Sequence, residues 1–291
     1  VVGYFSDYEY SYNYFHPIIN ASIGWSPSRK FSITANYFAQ SDEPDEIQLI
    51  DRRVTEGDLI MSNGNPRLKP KLTHGLDLKL SLFSNFNLSF AYYNIKNSIF
   101  NTARQISAEE SPTGCPFVML YPDNEHDEVF ISRLMYGKTF FNHLDISAGG
   151  SISYQHVRYK EIKRSRWCAG FWLDLGYVGL DNTLEARLSY SYNGNADITA
   201  MTTALKRTDS MNLYISKRLL KEKNLNIFVR YILPVHFGDN SHTEEMVTDV
   251  YRYKMNMDNY FRSDNSIMIG IDYYFHKGEK VKQFNDPMES L

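Results

Sequence analysis

Cysteine, long apolar runs and surplus positive charge are all scarce in this chain. Of 291 residues only two are cysteines, Cys115 and Cys168, which excludes a disulfide-dense scaffold and a four-thiolate zinc site. Lysine and arginine (31) are outnumbered by aspartate and glutamate (34), giving a net charge of -3, so no basic surface argues for a nucleic-acid partner. The longest apolar runs, such as Cys168 to Leu173, fall far short of the roughly 20 residues of a membrane-spanning helix. Mean hydropathy is -0.43. No GxSxG, HExxH, CxxC or phosphate-cradling glycine loop occurs, so neither catalysis nor a cofactor or metal is expected. His143 and His156 have hydrolytic potential only singly, because nothing in their spacing unites them with a serine. The opening VVGYFSDYEYSY has neither the positive flank nor the apolar stretch of a signal peptide. The expectation is that a leader has been removed or that the chain begins inside a longer polypeptide.

Aromatic residues, by contrast, are abundant: 15% of the chain, with 22 Tyr and 18 Phe. Rings with one wet end suit interfaces and membrane girdles better than a dry core. Period-two alternation runs through the chain. Ile19, Ala21, Ile23 and Trp25 alternate with polar or small residues. So do Phe31 to Tyr37, Leu76 to Leu82, Leu144 to Tyr154, Trp167 to Tyr177, Leu184 to Tyr192, Leu225 to Leu233 and Ile267 to Phe275. The pattern predicts about eleven or twelve strands and no helix. Many reach about 9–15 residues, longer than the ~5–6 usual in soluble sheets and long enough for a tilted bilayer crossing.

Connections fall into two sets. Pro27–Lys30, Phe83–Phe86, Phe141–His143, Leu180–Thr183 and Leu220–Asn224 are short, whereas Gln40–Lys71, Asn101–Glu128 and Gly238–Asp264 are long. Segments 160–166 and 193–206 read as shorter loops of that second set. Tight turns on one side and long loops on the other are the habit of outer-membrane barrels. A soluble β-sandwich also alternates, and whether the apolar rows face lipid or a second sheet separates the two. The expected fold is all-β, an antiparallel transmembrane β-barrel, with residues 1–275 forming wall and 276–291 a charged periplasmic tail.

Two motifs carry a resemblance. Gly64-Asn65-Pro66-Arg67-Leu68-Lys69-Pro70 resembles the GNPxLKPE element of TonB-dependent receptors, particularly the Bacteroidetes-type barrels, where it ends an external loop just before an alternating strand. Lys71 departs from the acid usual there. Met268 to Phe275 is similar to the assembly signal of outer-membrane barrels, with Gly270, Tyr273 and Phe275 at the matching positions and Met268 where a polar residue is usual. The resemblance implies the C-terminal part of a barrel of about 22 strands around a plug. It further implies import of a scarce nutrient of the siderophore, haem, glycan or peptide class. Its partners would be outer-membrane lipid, the barrel-assembly machinery, TonB through a region ahead of this chain, and a surface lipoprotein. A complete barrel of about twelve strands, acting as a porin or as a structural or adhesive protein, is the alternative.

Remaining candidates are few. Trp172 and Tyr214 fall on polar rows and are expected either to stack on a ligand in the lumen or to support a plug or inward loop. Trp25, Tyr37, Tyr154, Trp167, Tyr177, Tyr192 and Tyr273 are expected in interfacial girdles. Cys115 and Cys168 are expected close to one external rim, where a disulfide would form if their Cα atoms approach within about 7 Å. Acidic clusters at Asp42–Glu46, Asp123–Glu128 and His242–Glu245 read as solvated loops, because no metal-ligand spacing appears in them.

Overall fold

The computed structural model describes residues 18–51, 53–55, 60–83, 85–107, 117–179, 182–220, 224–235, 237, 240–258 and 265–274. In chain order the strands are β1 (Ile19–Ser28), β2 (Phe31–Asp42), β3 (Val54–Thr55), β4 (Ile60–Ser62), β5 (Lys71–Leu82), β6 (Phe86–Ile106), β7 (Phe117–Phe140) and β8 (Leu144–Tyr159). Then follow β9 (Ile162–Gly179), β10 (Leu184–Ile198), β11 (Thr202–Leu219), β12 (Leu225–Leu233), β13 (Ser241–Val247), β14 (Arg252–Asp258) and β15 (Ser266–Tyr273). Eleven of them form an up-and-down antiparallel wall in the order β1-β2-β5-β6-β7-β8-β9-β10-β11-β12-β15.

Facing decides between barrel and sandwich. The apolar rows are uncovered: Leu76, Leu134, Ile152, Phe171 and Ile269 are all exposed, Ile269 at 70%. A second sheet would have buried them. The buried apolar side chains among the described residues instead lie toward the long-loop end, in Ala39, Met61, Leu68, Phe100, Ile106, Met119, Val157, Tyr159, Ile198, Ala200 and Met246. A wall with no core behind it and a greasy outer surface is stable only where acyl chains cover that surface.

The girdle residues point outward as expected. Directly opposed positions trace one line across six strands, from Tyr37 through Leu76, Tyr92, Phe130 and Tyr154 to Trp167, with the Tyr154 and Trp167 rings 4.6 Å apart. Along β9 the outward rings run from Trp167 to Tyr177. Ten residues at about 3.3 Å each, tilted by roughly 40°, give a band of about 25 Å, the height of an outer-membrane hydrocarbon belt.

Above that line the structure departs from the sequence reading. Asn101–Glu128 is not one long loop, because β6 and β7 stay paired out to Ile106 and Phe117. Residues 160–166 and 193–206 are mostly strand, the turns shrinking to residues 160–161 and 199–201. The excursion after β12 contains a hairpin, β13–β14, which adds β13 to the upper part of β11 where β12 has stopped. Asp209 pins that crossover, accepting Phe237 N–H at 2.7 Å. The loop after β2 holds a one-turn helix, α1 (Glu46–Leu49), where no helix was expected; Asp45 N–H donates to Gln48 Oε1 at 3.0 Å and closes its first turn. Polar alternation looks like loop, yet strand pairing needs only backbone and continues well past the bilayer.

Inside the wall, three rings lie on glycines directly opposite them: Phe38 on Gly75, Trp172 on Gly149 and Phe228 on Gly270. A Cβ at Gly149 would come within 2.8 Å of the Trp172 ring. The missing side chain is what lets each ring lie flat against the strand.

The lipid and lumen faces make opposite demands on neighbouring residues. Leu173→Arg, near mid-band on the outer row, should destabilise the protein by about 2–4 kcal/mol. Asp174→Asn, the next residue but on the inner row, should change stability by only about 0.5 kcal/mol or less. Urea titration in phospholipid vesicles, followed by tryptophan fluorescence, checks both; equal penalties would contradict the facing assigned here.

Candidate functional site

At the external mouth two segments fold onto the inner face of the tall strands. The first is the loop joining β2 to β5. Its β4 strand pairs in parallel with Val118–Leu120 of β7, and the resemblance motif clamps the return to the wall. Gly64 lies against the backbone of residues 48 and 50, where any Cβ would strike the Ile50 carbonyl. Asn65 bonds in two directions: its Oδ1 accepts Arg67 N–H at 3.0 Å and its Nδ2 donates to the Pro122 carbonyl at 2.9 Å. Leu68 is buried, only 2% exposed. Asn124 accepts Lys69 N–H at 2.8 Å and donates to the Lys69 and Asn97 carbonyls, while Asn97 Nδ2 donates to the Pro70 carbonyl at 3.1 Å. Asn97 is the extra residue of a bulge in β6, with φ 58°, a conformation asparagine tolerates. Lys71, the departure from the motif, contacts Asp42 at 2.8 Å in the directly opposite position of β2, so the pair is satisfied with its signs settled locally.

The second segment is the tip joining β10 to β11. Gln155 grips it twice, Nε2 donating to the Ile198 carbonyl at 2.9 Å and Oε1 accepting Ile198 N–H at 3.3 Å. Arg164 donates to the carbonyls of Thr199 and Thr202 at 3.1 Å and to the Thr203 hydroxyl. Ala200 N–H donates to Glu125 Oε2 at 2.7 Å. Beneath lie Phe100, Val157 and Tyr159, packed with Ile198 and Ala200 in one buried cluster. Tyr159 OH donates to Asp123 Oδ2 at 2.6 Å.

This corrects the reading of Asp123–Glu128 as solvated loop. Those residues are strand, and Asp123, Glu125 and Asp127 share the inner face. Glu125 and Asp127 are 4% and 6% exposed. Burial pushes the Glu125 carboxyl up to about 8, with the charges of Asp127 and Asp197 adding to it against the Ala200 hydrogen bond and Arg164. Burial likewise raises Asp127 to about 6, with Ser98 opposing and Asp197 adding. Among the described residues, no three His, Cys, Asp or Glu side chains converge as a metal-ligand set. Spacing at i, i+2 and i+4 was the available signal for one strand face; Gln155 and Arg164 offered none.

Between the loop and the β6–β7 hairpin lies a cleft of about 510 Å³, bordered by Asn63, Asn65, Arg67, Arg104, Tyr121 and Asp123. Trp172 and Tyr214 are not part of it. Both are on the inner face, but β10 separates them, and their opposite positions there, Ser191 and Arg187, are four residues apart. Trp172 rests on Gly149; Tyr214 stands between Arg187 and Arg230 with its ring 6.0 Å from that of Phe228. Gly270 seats Phe228, and Tyr273 faces outward on β15. Phe275 lies outside the described residues. So does Cys115, whereas Cys168 is a free, half-buried thiol on the inner row of β9.

Two outcomes follow from this geometry. A carboxyl held near pH 8 in the docked tip and near 4.5 when released favours docking fully below about pH 4.5 and progressively less as pH rises toward 8. Intrinsic-rate-corrected amide protection at Ala200 should therefore fall between pH 6 and pH 9, and Glu125→Gln should flatten that fall; protection rising with pH would refute the assignment. In the clamp, Leu68→Ala should cost about 2–5 kcal/mol and Gly64→Ala about 1–3 kcal/mol, read as faster proteolysis of the 43–70 loop in an otherwise folded wall.

The sequence profile of the outer membrane protein beta-barrel family matches residues 5–263. No curated protein and no solved structure matches the chain. The profile spans most of the chain and agrees with a long-stranded antiparallel wall whose apolar face is turned outward, so this protein belongs to the outer membrane protein beta-barrel family and resides in the bacterial outer membrane.

Proposed function

We infer that the chain is wall from a larger plugged barrel, a TonB-dependent receptor that imports a scarce nutrient. The observation that carries the reading is the Gly64–Pro70 clamp, and the parity of the wall bounds how it can close. Among the described residues eleven strands alternate in direction, so β1 and β15 run the same way. They cannot pair antiparallel with each other. Backbone edges left open in hydrocarbon are prohibitively costly, so closure with antiparallel pairing requires an odd number of further strands: one would make 12 and eleven would make 22. The Gly64–Pro70 clamp, sitting where the resemblance expects it at the end of an external loop, favours the larger number.

Ligand would be captured by the inward-folded external segments and passed through the lumen when a plug moves, with TonB supplying energy through residues outside this wall. Siderophore, haem, glycan and peptide ligands all suit such a wall, because specificity resides in loops and plug. The barrel-assembly machinery would read Gly270, Tyr273 and Phe275, residues 276–291 would extend into the periplasm, and a surface lipoprotein would meet the mouth.

Planar-bilayer conductance of the mature protein, with its intact mass, tests the proposal. A plugged receptor should have a mass well above 33.9 kDa and almost no steady conductance. A species near that mass with a stable open conductance would instead be a twelve-strand porin-like barrel, and the receptor reading would fall.

A further inference from the structure

We propose that the outward face of β6–β9, just above the aromatic line, binds a phosphorylated glycolipid of the outer leaflet, with Lys96 and Lys163 meeting its phosphates. The inference needs only residence in the outer membrane and is the same whether the barrel is a receptor or a porin.

Register stacks three outward rows in order of height. The lowest is the aromatic line, Leu76, Tyr92, Phe130, Tyr154 and Trp167. Two residues higher on each strand stand His74, Asn94, Glu128, His156 and Ser165, directly opposed across β5 to β9. Two higher again stand Leu72, Lys96, His126, Arg158 and Lys163. Four residues at about 3.3 Å, tilted by roughly 40°, place this top row about 10 Å above the rings. The headgroup layer of one leaflet is about 5–8 Å thick. A lysine stem spans the difference, laying its methylenes on the apolar surface while the ammonium stays at the polar level. Lys96 and Lys163 are both exposed, so their charges sit where lipid phosphates lie.

Charge in the two upper rows is lopsided. Their single carboxylate, Glu128, is taken up by Arg158, which donates to Oε1 at 2.6 Å, and His126 Nε2 is 3.6 Å from the same oxygen. Lys96 and Lys163 flank that neutralised pair, and neither makes an ion pair among the described residues. At the turn above, Lys160 and Glu161 are opposite in sign, and Lys160 Nζ lies 4.6 Å from the centroid of the Tyr159 ring. Three strand spacings of about 4.8 Å, roughly 14 Å in all, separate the two lysines. That span suits a headgroup with phosphates at both ends of a disaccharide frame. On the short-turn rim of β7–β9 the outward rows are Lys138, Ile146 and Leu175, then Phe140, Leu144 and Tyr177. They hold one cation, Lys138, whose Nζ lies 4.9 Å from the Phe140 ring centroid. The cations therefore favour the leaflet beneath the long loops.

Native mass spectrometry of the mature protein in detergent, titrated with diphosphorylated lipid A, tests this. The same glycolipid stripped of its phosphates is the neutral counterpart, and inorganic phosphate is the competitor that separates a lipid site from a site for free anion. Lipid A should bind, the stripped lipid should bind at least about tenfold more weakly, and inorganic phosphate at constant ionic strength should not displace lipid A. Lys96→Gln and Lys163→Gln should each weaken lipid A binding by about fivefold, and the double variant by about thirtyfold. Glu128→Gln, which removes the one opposing charge, should tighten it, and Lys138→Gln at the other rim should leave it unchanged. Equal binding of the two lipids, displacement by inorganic phosphate, undiminished affinity in the double variant, or weaker binding in Glu128→Gln would each overturn the proposal. The conductance and mass test decides between receptor and porin without touching this result.

Discussion

Backbone hydrogen bonding without water governs this molecule. In hydrocarbon each N–H and C=O of a strand must be paired by a neighbour, and only a closed sheet satisfies all of them. From that demand follow the uninterrupted antiparallel ladders, the tight turns on one side, and the period-two split between Leu, Ile and aromatic rows outside and Ser, Asn, Asp and Arg rows inside. The same demand bears on the ends of the described wall: β1 and β15 run in the same sense, so each needs an antiparallel partner other than its opposite number.

The same strands obey inverted rules at two heights. Between the aromatic lines, apolar side chains are on the outside and the interior is polar. Above the Tyr37–Trp167 line, Phe100, Val157, Tyr159, Met119 and Ile106 turn inward and are buried, because there the solvent outside is water and an inward loop can cover them. One alternating strand serves both regimes by changing which parity is apolar. In β6 the switch coincides with the bulge at Asn97, which shifts the odd and even rows against β7: Tyr93 and Ile95 share the inner face below it, and Phe100 and Thr102 above it.

Much of the wall was legible in the sequence because its signal is local. Alternation identified the strands, short polar turns marked one rim, and the outward positions of Trp25, Tyr37, Tyr154, Trp167 and Tyr177 followed directly from period two. The external cap was hidden. Asp123 to Glu128 and Asn193 to Lys206 are polar in sequence, and polarity there reflects water on one face of a projecting hairpin, which periodicity cannot separate from loop. Nor could sequence join Gln155 and Arg164 to a tip some 40 residues away, since that contact depends on how two hairpins lean together. Trp172 and Tyr214 were assigned to the correct face, but their seats, Gly149 and the Phe228 ring, are cross-strand partners that emerge only with register.

The motif around Gly64 gains a mechanical meaning from its bonds. A loop returning to a barrel must hand its backbone polar groups from water to the sheet over a few residues, and two prolines reduce the donors to be satisfied. Pro66 and Pro70 frame the handover; Asn65, Asn97 and Asn124 provide the remaining donors and acceptors, and all three bond to main-chain atoms from the clamp or the β6–β7 hairpin. Because those asparagines lie on two different elements, loop and hairpin are bonded to each other from both sides. Pro122 and Asn124 tie the clamp to β7, and Asp123 and Tyr159 tie β7 to the floor on which the β10–β11 tip rests. The two inward segments are thus joined by contiguous contacts, with Asp123 at the junction.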